Sequence, residues 1–365
     1  MIIGIDGNEA NVEKQVGVSV YTKNLLYWYS KWADKNIQFK VFLKKSPLNF
    51  LPRENKYYKY VVVKSKFLWS QLFLPINLYF KNKVNVFFSP AHYAPRFCPV
   101  PIVVTIHDLS YFIYPDEFLK KDLYQLKNWT KYSVDKASKI IAVSKTTKKD
   151  LMKFYNLPEG KIEVVYNGFE KNIGDRTCDR TSEVKKDKYL LFVGTIQPRK
   201  NLSVLIRAFN KFIQTNQGFK LVIAGKKGWL FEEIFEEVEK LNLKNKIIFT
   251  DHVSDKKLVS LYKNAFCFIM PSLYEGFGIP ILEAMAYGCP VISSFTSSLP
   301  EIGGEACLYF DPNNLNDLTD KISQLINDIE LRNSLIEKGK ERIKLFSWKK
   351  CATETLNIIK NQSKI

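Results

Sequence analysis

The chain has 365 residues, 46% of them hydrophobic, and a formal net charge of +18. This length is enough for two domains of ordinary size, each with its own hydrophobic core. The hydrophobic content indicates a globular protein, and no uncharged stretch is long enough to predict a membrane span.

Cysteines, histidines and missing motifs argue against several classes of protein. Six cysteines are scattered without C-x-x-C pairs, which predicts reduced thiols and a cytoplasmic protein. The amino terminus carries an acid directly after a short apolar run, so no signal peptide is expected. The three histidines lack the spacing of a zinc enzyme. A Walker P-loop and a G-x-G-x-x-G after the first strand are also absent, which disfavours a kinase or a dehydrogenase.

The positive charge lies mainly in the first half of the chain. Residues 1–180 contain 29 Lys and Arg against 16 Asp and Glu, whereas the remainder contains 26 against 21. Such a distribution suits nucleic acid, an anionic membrane surface or an anionic substrate, and charge alone does not choose among them. A generally lysine-rich composition is a fourth alternative. No recognised nucleic-acid-binding module appears, so nucleic acid is not an expected partner.

Strands alternate with helices along the first half. Residues 2–6 predict a buried strand, after which Gly17 precedes an amphipathic helix. A glycine in that place suits a phosphate site, although a plain turn explains it equally well. Further strands are predicted at 37–45, 57–64, 84–90, 101–108, 139–144 and 161–168, with helices at 70–82, 117–138 and 146–156. This alternation predicts a parallel sheet covered by helices on both faces.

The same rhythm restarts after a polar stretch at residues 172–188, where the domain linker is predicted. Strands are predicted at 188–195, 219–225, 245–253, 266–270, 290–294 and 307–310, with helices at 201–214, 231–242 and 255–265. Beyond residue 314 the chain reads as helices, the last at residues 347–362. Two similar folds in one chain are therefore expected.

Residues 38–83 are basic and aromatic. They contain ten Lys and Arg against one acid, Glu54, with eleven aromatic residues between them. Part of this stretch is predicted core, and the rest predicts a basic and apolar rim made of Lys44, Lys45, Arg53, Lys56, Lys59, Lys64 and Lys66 with Phe67, Trp69 and Phe73. Such a rim suits an anionic membrane surface. A solvated lysine-rich surface is the alternative.

Two short motifs stand where strands end. His107 and Asp108 follow a buried strand, whose carboxyl end faces the ligand crevice in open α/β sheets; a histidine there is often only a structural group. Arg199 and Lys200 lie at the first strand-to-helix junction of the second half. Two cations beside a helix start suit a diphosphate, whereas a solvated basic turn is the alternative.

Residues 270–292 combine a buried strand, a glycine-rich loop and a helix. Gly276 and Gly278 allow a ligand to approach the backbone closely, and the helix start offers free N–H groups to an anion. Glu275 in the loop and Glu283 in the helix frame this place, and each can accept hydrogen bonds from hydroxyl groups. Taken singly, each is more simply read as a surface acid.

The string MPSLYEGFGIPILEAMAYGCPVI at residues 270–292 resembles the E-x7-E signature of the retaining glycosyltransferase family 4, which includes mannosyltransferase-like group 1 glycosyltransferases of cell-envelope polysaccharide synthesis. The resemblance covers nearly the whole chain and implies the GT-B fold. In this α/β architecture two Rossmann-like, doubly wound domains face each other across a cleft. The implied domains are an acceptor-side domain at 1–176, a nucleotide-sugar-binding domain at 177–346, and a last helix at 347–365 that packs back on the first domain.

The activity implied is that of a retaining, metal-independent hexosyltransferase. It would move a mannose- or glucose-type sugar from a GDP- or UDP-linked nucleotide-diphosphate sugar to a glycan or polyprenyl-diphosphate-linked acceptor. The donor is a substrate, so no cofactor is expected, and the chain has no D-x-D motif for a metal. An anionic membrane surface on the cytoplasmic side is a further candidate partner.

The resemblance also implies roles for single residues. Glu275 would orient the donor sugar and Glu283 hold the ribose hydroxyls, while His107 approaches the donor sugar. Lys200 and Arg199 would stabilise the diphosphate. The predicted donor-binding residues are Gly17, Thr195, Val253, Gly276, Phe277, Gly278, Ile279 and Glu283.

Two of these assignments carry a qualification. Many members of the family have an arginine directly after the glycine where this chain has Thr195, so Arg199 is expected to take that role. Val253 marks the loop that binds the nucleobase mainly through backbone atoms, so uracil, guanine and adenine all remain open.

Two rival functions also fit the residues. One is a nucleotide-sugar epimerase or a soluble-acceptor synthase, such as a sucrose-phosphate-type synthase, on the same fold. The other is a non-catalytic protein that binds a sugar nucleotide or a protein partner, since a fold does not fix a function.

Overall fold

The computed structural model describes residues 1–65, 67–170, 188–251 and 253–363. The chain divides into two compact units, one formed by Met1–Gly168 with Phe346–Ile365 and the other by Phe169–Leu345. The predicted boundary between residues 176 and 177, and the predicted linker apart from Lys188, lie outside the described residues.

The first unit contains a parallel sheet of seven strands among its described residues. The strands are β1 (Ile2–Asp6), β2 (Gln38–Leu43), β3 (Tyr58–Val62), β4 (Val86–Ser89), β5 (Ile102–Ile106), β6 (Lys139–Ala142) and β7 (Ile162–Val164). Their order is β3-β2-β1-β4-β5-β6-β7. The apolar strands β4 and β5 are buried at every residue, as expected of strands covered on both faces.

Helices cover this sheet. They are α1 (Gly17–Trp32), α2 (Leu74–Phe80), α3 (Ser110–Ile113), α4 (Lys120–Lys136) and α5 (Lys145–Tyr155). A single π-helical turn at Trp69–Phe73 leads into α2. The sequence predicts one helix at residues 117–138. The structure instead has a 3₁₀ turn at Pro115–Glu117, followed by extended backbone at Phe118 and Leu119, so α4 begins only at Lys120.

The second unit has a parallel sheet of six strands among its described residues. The strands are β8 (Tyr189–Val193), β9 (Lys220–Ala224), β10 (Ile247–Phe249), β11 (Cys267–Met270), β12 (Val291–Ser294) and β13 (Cys307–Phe310), in the order β10-β9-β8-β11-β12-β13. The helices are α6 (Leu202–Ile213), α7 (Glu232–Lys240), α8 (Asp255–Asn264), α9 (Ile279–Ala286), α10 (Leu299–Gly303), α11 (Leu315–Asn327) and α12 (Ile329–Ile343).

The last helix, α13 (Trp348–Gln362), belongs to the first unit. It packs on α1 and buries Trp348 and Leu356 in the core of that unit. Ser347 caps it by accepting a hydrogen bond from the Lys350 N–H at 3.3 Å. A Cβ at Gly168 would lie 2.2 Å from the Trp348 nitrogen, so the chain needs a glycine where this helix meets the end of the Rossmann-like fold.

Strand order reverses at the centre of both sheets. In the first unit β1 lies between β2 and β4, and in the second unit β8 lies between β9 and β11. The loops that leave neighbouring strands in opposite directions open a crevice at their carboxyl ends, where ligands bind in sheets of this kind. The predicted α/β fold is confirmed, and its order singles out the loops after β8 and β11.

One predicted surface residue is buried. The sequence predicts Trp69 on a basic rim, but its side chain is only 4% exposed and its Nε1 donates a hydrogen bond to the Val63 carbonyl oxygen at 2.8 Å. The N–H of this buried indole is thus hydrogen-bonded, as buried polar groups generally are. Lys66, another predicted member of the rim, is outside the described residues.

Candidate functional site

The loops after β8 and β11 bring together three charged side chains of the second unit. Arg199 and Lys200 lie in a 3₁₀ turn, Pro198–Lys200, that leads into α6. Glu275 lies in the loop between β11 and α9. Lys200 Nζ donates a hydrogen bond to Glu275 Oε1, and Arg199 Nη1 is 3.7 Å from Glu275 Oε2. The Arg199-Lys200 motif and the first acid of the E-x7-E motif are therefore parts of one cluster.

Backbone contacts fix this cluster. Arg199 Nη1 donates to the Tyr274 carbonyl oxygen at 2.5 Å, and the Leu273 N–H donates to the Arg199 carbonyl oxygen at 2.9 Å. A side chain and a backbone group of the same turn thus hold the loop that carries Glu275. Preorganised charges of this kind lose little free energy in reorganisation when a ligand binds.

Glu275 is held as a carboxylate. Burial acts to raise its pKa, but the nearby Lys200 and Arg199 outweigh burial and bring the pKa below its usual range. At neutral pH the cluster therefore holds two positive charges and one negative charge. The surplus positive charge suits an anionic ligand such as a diphosphate.

Serines that the sequence analysis did not single out support the loop. The Glu275 N–H donates to Ser297 Oγ at 2.9 Å, and Ser298 Oγ lies 2.8 Å from the Glu275 carbonyl oxygen and 2.9 Å from that of Phe277. Both serines belong to the polar run SSFTSS at residues 293–298. The signal that points to them is this run of hydroxyl residues at the carboxyl end of the buried strand β12.

The loop ends in a tight turn into α9. Gly278 has a φ of 109°, in the left-handed region that favours glycine, and a Cβ there would lie 2.9 Å from Leu299 Cδ2. Ile279 begins the helix and Pro280 occupies its first turn, where a missing N–H costs nothing. Phe277 is buried. The turn at Gly278 and the helix start at Pro280 therefore have the backbone geometry that the sequence predicts.

Glu283, the fifth residue of α9, has different surroundings. Its Oε2 accepts a hydrogen bond from the Tyr262 hydroxyl at 2.9 Å, and burial raises its pKa. The pKa values of Glu275 and Glu283 thus shift in opposite directions, since one carboxylate faces two cations and the other faces a neutral hydroxyl. The two acids of the motif are not equivalent.

Thr195 and Val253 mark the neighbouring loops of the same unit. The methyl group of Thr195 lies against Gly228, where an added Cβ would be 2.8 Å from Thr195 Cγ2. Val253 is half-buried in the loop before α8. A Cβ at Gly225 would lie 1.9 Å from the Gly194 carbonyl oxygen, so the loops after β8 and β9 pack backbone against backbone.

His107 lies in the first unit, directly after β5. Its Nε2 is 2.8 Å from the Pro90 carbonyl oxygen, to which it donates as a neutral ring, and the Tyr21 ring meets it edge-on at 4.9 Å. Burial lowers the pKa of His107 to about 4, with His92 adding to the effect. Asp108 accepts hydrogen bonds from the N–H and hydroxyl of Ser110 at 3.0 and 2.7 Å, which shapes the turn into α3.

A second acid of this unit was missed by the sequence analysis. Asp6 ends the central strand β1, and burial raises its pKa to about 6. It accepts hydrogen bonds from the backbone N–H and the Nδ2 of Asn8 at 3.0 and 2.7 Å. An acid at the carboxyl end of the strand where the sheet order reverses was the available signal. Gly17, predicted for phosphate binding, begins α1, and nothing lies within 4 Å of the place a Cβ would take.

Comparisons with known proteins identify the family. The family model described as "Glycosyl transferases group 1" matches residues 176–342, and the one described as "Glycosyltransferase Family 4" matches residues 17–172. The O-antigen chain mannosyltransferase B of Escherichia coli is 31% identical, over 76% of this chain and 74% of its own. The chain belongs to the family 4, group 1 glycosyltransferases.

Two further similarities concern relatives and fold. This glycosyltransferase is 29% identical to an N-acetylgalactosaminyltransferase of Campylobacter jejuni named for a diphospho-undecaprenol-linked acceptor, over 61% of this chain and 60% of that one. Its fold is similar to that of sucrose-phosphate synthase from Thermosynechococcus elongatus, with a TM-score of 0.76 at 18% identity over 99% of this chain and 98% of that chain. The predicted family, GT-B fold and glycosyltransferase activity are confirmed.

The predicted site residues of this glycosyltransferase fall into two groups. Arg199, Lys200 and Glu275 contact one another in the second unit, where Thr195, Val253, Glu283 and residues 276–279 also lie. His107 and Gly17 lie in the first unit. Within the described residues, no helix has the length and apolar character needed to cross a membrane.

Proposed function

We propose that this glycosyltransferase is a retaining, metal-independent hexosyltransferase of cell-envelope polysaccharide synthesis. It moves a mannose- or glucose-type sugar from a GDP- or UDP-linked donor to a glycan or polyprenyl-diphosphate-linked acceptor. Similarity to an O-antigen chain mannosyltransferase supports the sugar and the setting. The five cysteines within the described residues are free thiols, which supports a reducing, cytoplasmic compartment.

The observation that carries this proposal is the cluster of Arg199, Lys200 and Glu275 next to the start of α9. The two cations and the positive end of the helix dipole suit the diphosphate of the donor. As the bond between the anomeric carbon and the diphosphate oxygen breaks, its electron pair moves to that oxygen. The growing negative charge is then stabilised by Lys200, Arg199 and the helix without a metal ion.

The second bond forms on the face from which the diphosphate leaves. The acceptor hydroxyl attacks the anomeric carbon there, and its proton passes to an oxygen of the leaving diphosphate. The products are the glycosylated acceptor and the nucleoside diphosphate, and the configuration of the sugar is retained. No protein residue becomes covalently attached in this scheme.

Individual residues take distinct parts in the proposed reaction. Glu275, held as a carboxylate, accepts hydrogen bonds from hydroxyls of the donor sugar and thereby orients it. Glu283 accepts hydrogen bonds from the ribose hydroxyls through its carboxylate, whose Oε2 also accepts one from the Tyr262 hydroxyl. Neutral His107 approaches the donor sugar, and Gly17 leaves the start of α1 open to a phosphate oxygen. The backbone at Val253 contacts the nucleobase.

A panel of purified GDP- and UDP-linked sugars tests the proposal. Incubation with the full chain should release nucleoside diphosphate slowly from one or two donors, and EDTA should leave the rate unchanged. With an acceptor glycan, NMR of the product should show the anomeric configuration of the donor.

Each contrary outcome points elsewhere. Inversion of the anomeric centre contradicts the retaining mechanism, and loss of the reaction in EDTA contradicts metal independence. Conversion of a donor to its epimer would identify an epimerase. Tight nucleotide binding without turnover of any donor would identify a binding protein.

A further inference from the structure

The helical segment at residues 69–80 of the first unit is apolar on two opposite faces. Its inner face buries Trp69, Leu74 and Leu78 against the sheet. Its outer face carries large apolar side chains that are 41% to 80% exposed, namely Leu72, Phe73, Ile76, Tyr79 and Phe80. The outer face of a surface helix is normally polar. This outer face is therefore suited to a partner outside the unit.

Neighbouring loops enlarge this apolar face. Phe67 and Leu68 precede the segment and are exposed, and the Arg96 N–H donates to the Ser70 carbonyl oxygen at 3.0 Å, which brings exposed Phe97 alongside. Leu68 and Phe97 have φ values of 53° and 50°, a conformation that costs free energy in residues other than glycine. We define the apolar patch as Phe67, Leu68, Leu72, Phe73, Ile76, Tyr79, Phe80 and Phe97.

The stretch of chain that carries the apolar patch contributes only positive charge. Residues 55–107 contain no Asp or Glu and seven Lys or Arg. Lys64 precedes the segment, and Lys81 and Lys83 follow it, all three exposed. Single exposed apolar residues are normal on a protein surface, but a large contiguous set rimmed by polar residues marks an interaction site.

We propose that the apolar patch docks on the surface of an anionic lipid bilayer. The aromatic and aliphatic side chains enter the boundary between headgroups and acyl chains, and Lys64, Lys81 and Lys83 lie against the anionic headgroups. A second copy of this chain fits less well, because it would bring two positively charged rims together. The proposal does not depend on which sugar is transferred, although a polyprenyl-linked acceptor would lie in the same bilayer.

The test is cosedimentation of the full chain with vesicles of phosphatidylcholine alone or with increasing phosphatidylglycerol. The parent should bind more tightly as the anionic fraction rises and more weakly as salt rises. The triple variant Lys64→Gln, Lys81→Gln, Lys83→Gln should lose roughly fivefold in affinity for each lysine. Its control is Lys220→Gln, Lys240→Gln, Lys256→Gln, which removes the same charge from exposed sites in the second unit and should bind like the parent.

A second pair of variants tests the apolar contacts. Phe67→Ser with Phe80→Ser should weaken binding at least tenfold, whereas Ile329→Ser with Leu345→Ser, exposed in the second unit, should not. The proposal is overturned if vesicle affinity does not depend on the fraction of anionic lipid. It is also overturned if neither set of patch substitutions weakens vesicle binding. A dimer in sedimentation velocity that Phe67→Ser with Phe80→Ser dissociates also overturns it and assigns the patch to a second copy.

Donor hydrolysis separates this inference from the proposed function. The patch variants should release nucleoside diphosphate from a soluble donor at the parent rate, because no patch residue belongs to the donor site. If the parent hydrolyses a donor but does not bind vesicles, only the docking proposal is contradicted. If the parent binds vesicles but turns over no donor, only the proposed function is contradicted.

Discussion

Lys200 and Glu275 are 75 positions apart in the chain, yet they form an ion pair whose side chains are only 13% and 12% exposed. The pair exists because β8 and β11 are neighbours in the sheet although two strands separate them in the sequence. A shielded pair of this kind keeps its charges in place while a ligand binds, since water and salt screen it little. The first two predictions follow from it.

Lys200→Ala should lower turnover about 10²- to 10³-fold, the usual effect of removing one preorganised donor that faces charge in the transition state. The free energy of unfolding should change much less than the activation free energy, because Arg199, 3.7 Å from Glu275, still compensates the charge of that carboxylate. Turnover from donor hydrolysis and urea midpoints measure the two effects. Lys220→Ala, at an exposed position in the same unit, should change neither. Turnover within a few-fold of the parent would make Lys200 a structural lysine.

Glu283→Ala and Glu275→Ala should have different effects. Loss of hydrogen bonds from ribose hydroxyls to a carboxylate should weaken binding of the nucleoside diphosphate by roughly 10- to 100-fold for Glu283→Ala. Glu275→Ala should mainly lower turnover with the intact donor. Calorimetric titration of the nucleoside diphosphate alone separates them, with Glu232→Ala as an exposed control. Parent-like affinity in the Glu283 variant contradicts the ribose assignment.

Asp6→Asn should stabilise the protein at pH 8. Burial raises the pKa of Asp6 to about 6, so the folded state binds more protons than the unfolded state between about pH 4 and pH 6. The stability of the parent therefore falls as pH rises through that window, by up to about 3 kcal/mol. Asparagine avoids this loss and can still accept the hydrogen bonds of Asn8.

Urea midpoints at pH 8 and pH 5 measure the effect of Asp6→Asn, and the advantage of the variant should be larger at pH 8. Asp34→Asn is the control of opposite sign. Asp34 is exposed, and hydrogen bonds from the N–H groups of Ile37 and Asn36 lower its pKa, so its contribution is present at high pH and lost as pH falls. An Asp6 variant less stable than the parent at pH 8 would show that the charged carboxylate stabilises the fold.

His107 should remain neutral throughout the physiological range. Burial lowers its pKa to about 4, so protonation should begin only well below pH 6. An NMR titration of the imidazole signals, assigned with His107→Gln, measures this directly. The pH profile of kcat/KM should show no inflection near pH 6.5 from this residue. A midpoint at or above pH 6 would mean that the negative charge of Asp108 outweighs the effect of burial on this pKa.

Local sequence patterns were sufficient for the fold and for the loop and helix around the E-x7-E motif. Periodicity and turn residues predicted the alternation of strands and helices, because each depends on neighbours a few positions away. Gly278 and Pro280 likewise predicted the turn into α9 from the conformations that these two residues favour. The family followed from the same local string, since its residues are adjacent in the chain.

Tertiary structure alone decided which side chains meet and how each is buried. Strand order placed Lys200 beside Glu275, and it placed Ser297 and Ser298 against the loop between β11 and α9. No local pattern encodes that order. Packing against the sheet buried Trp69, which the sequence predicts at the surface, and left Phe80 exposed, although both belong to one helical segment. Burial also raised the pKa of Asp6 and of Glu283. At Glu275 the nearby Lys200 and Arg199 outweighed burial and lowered the pKa, because a pKa depends on the charges and solvent around a group in space.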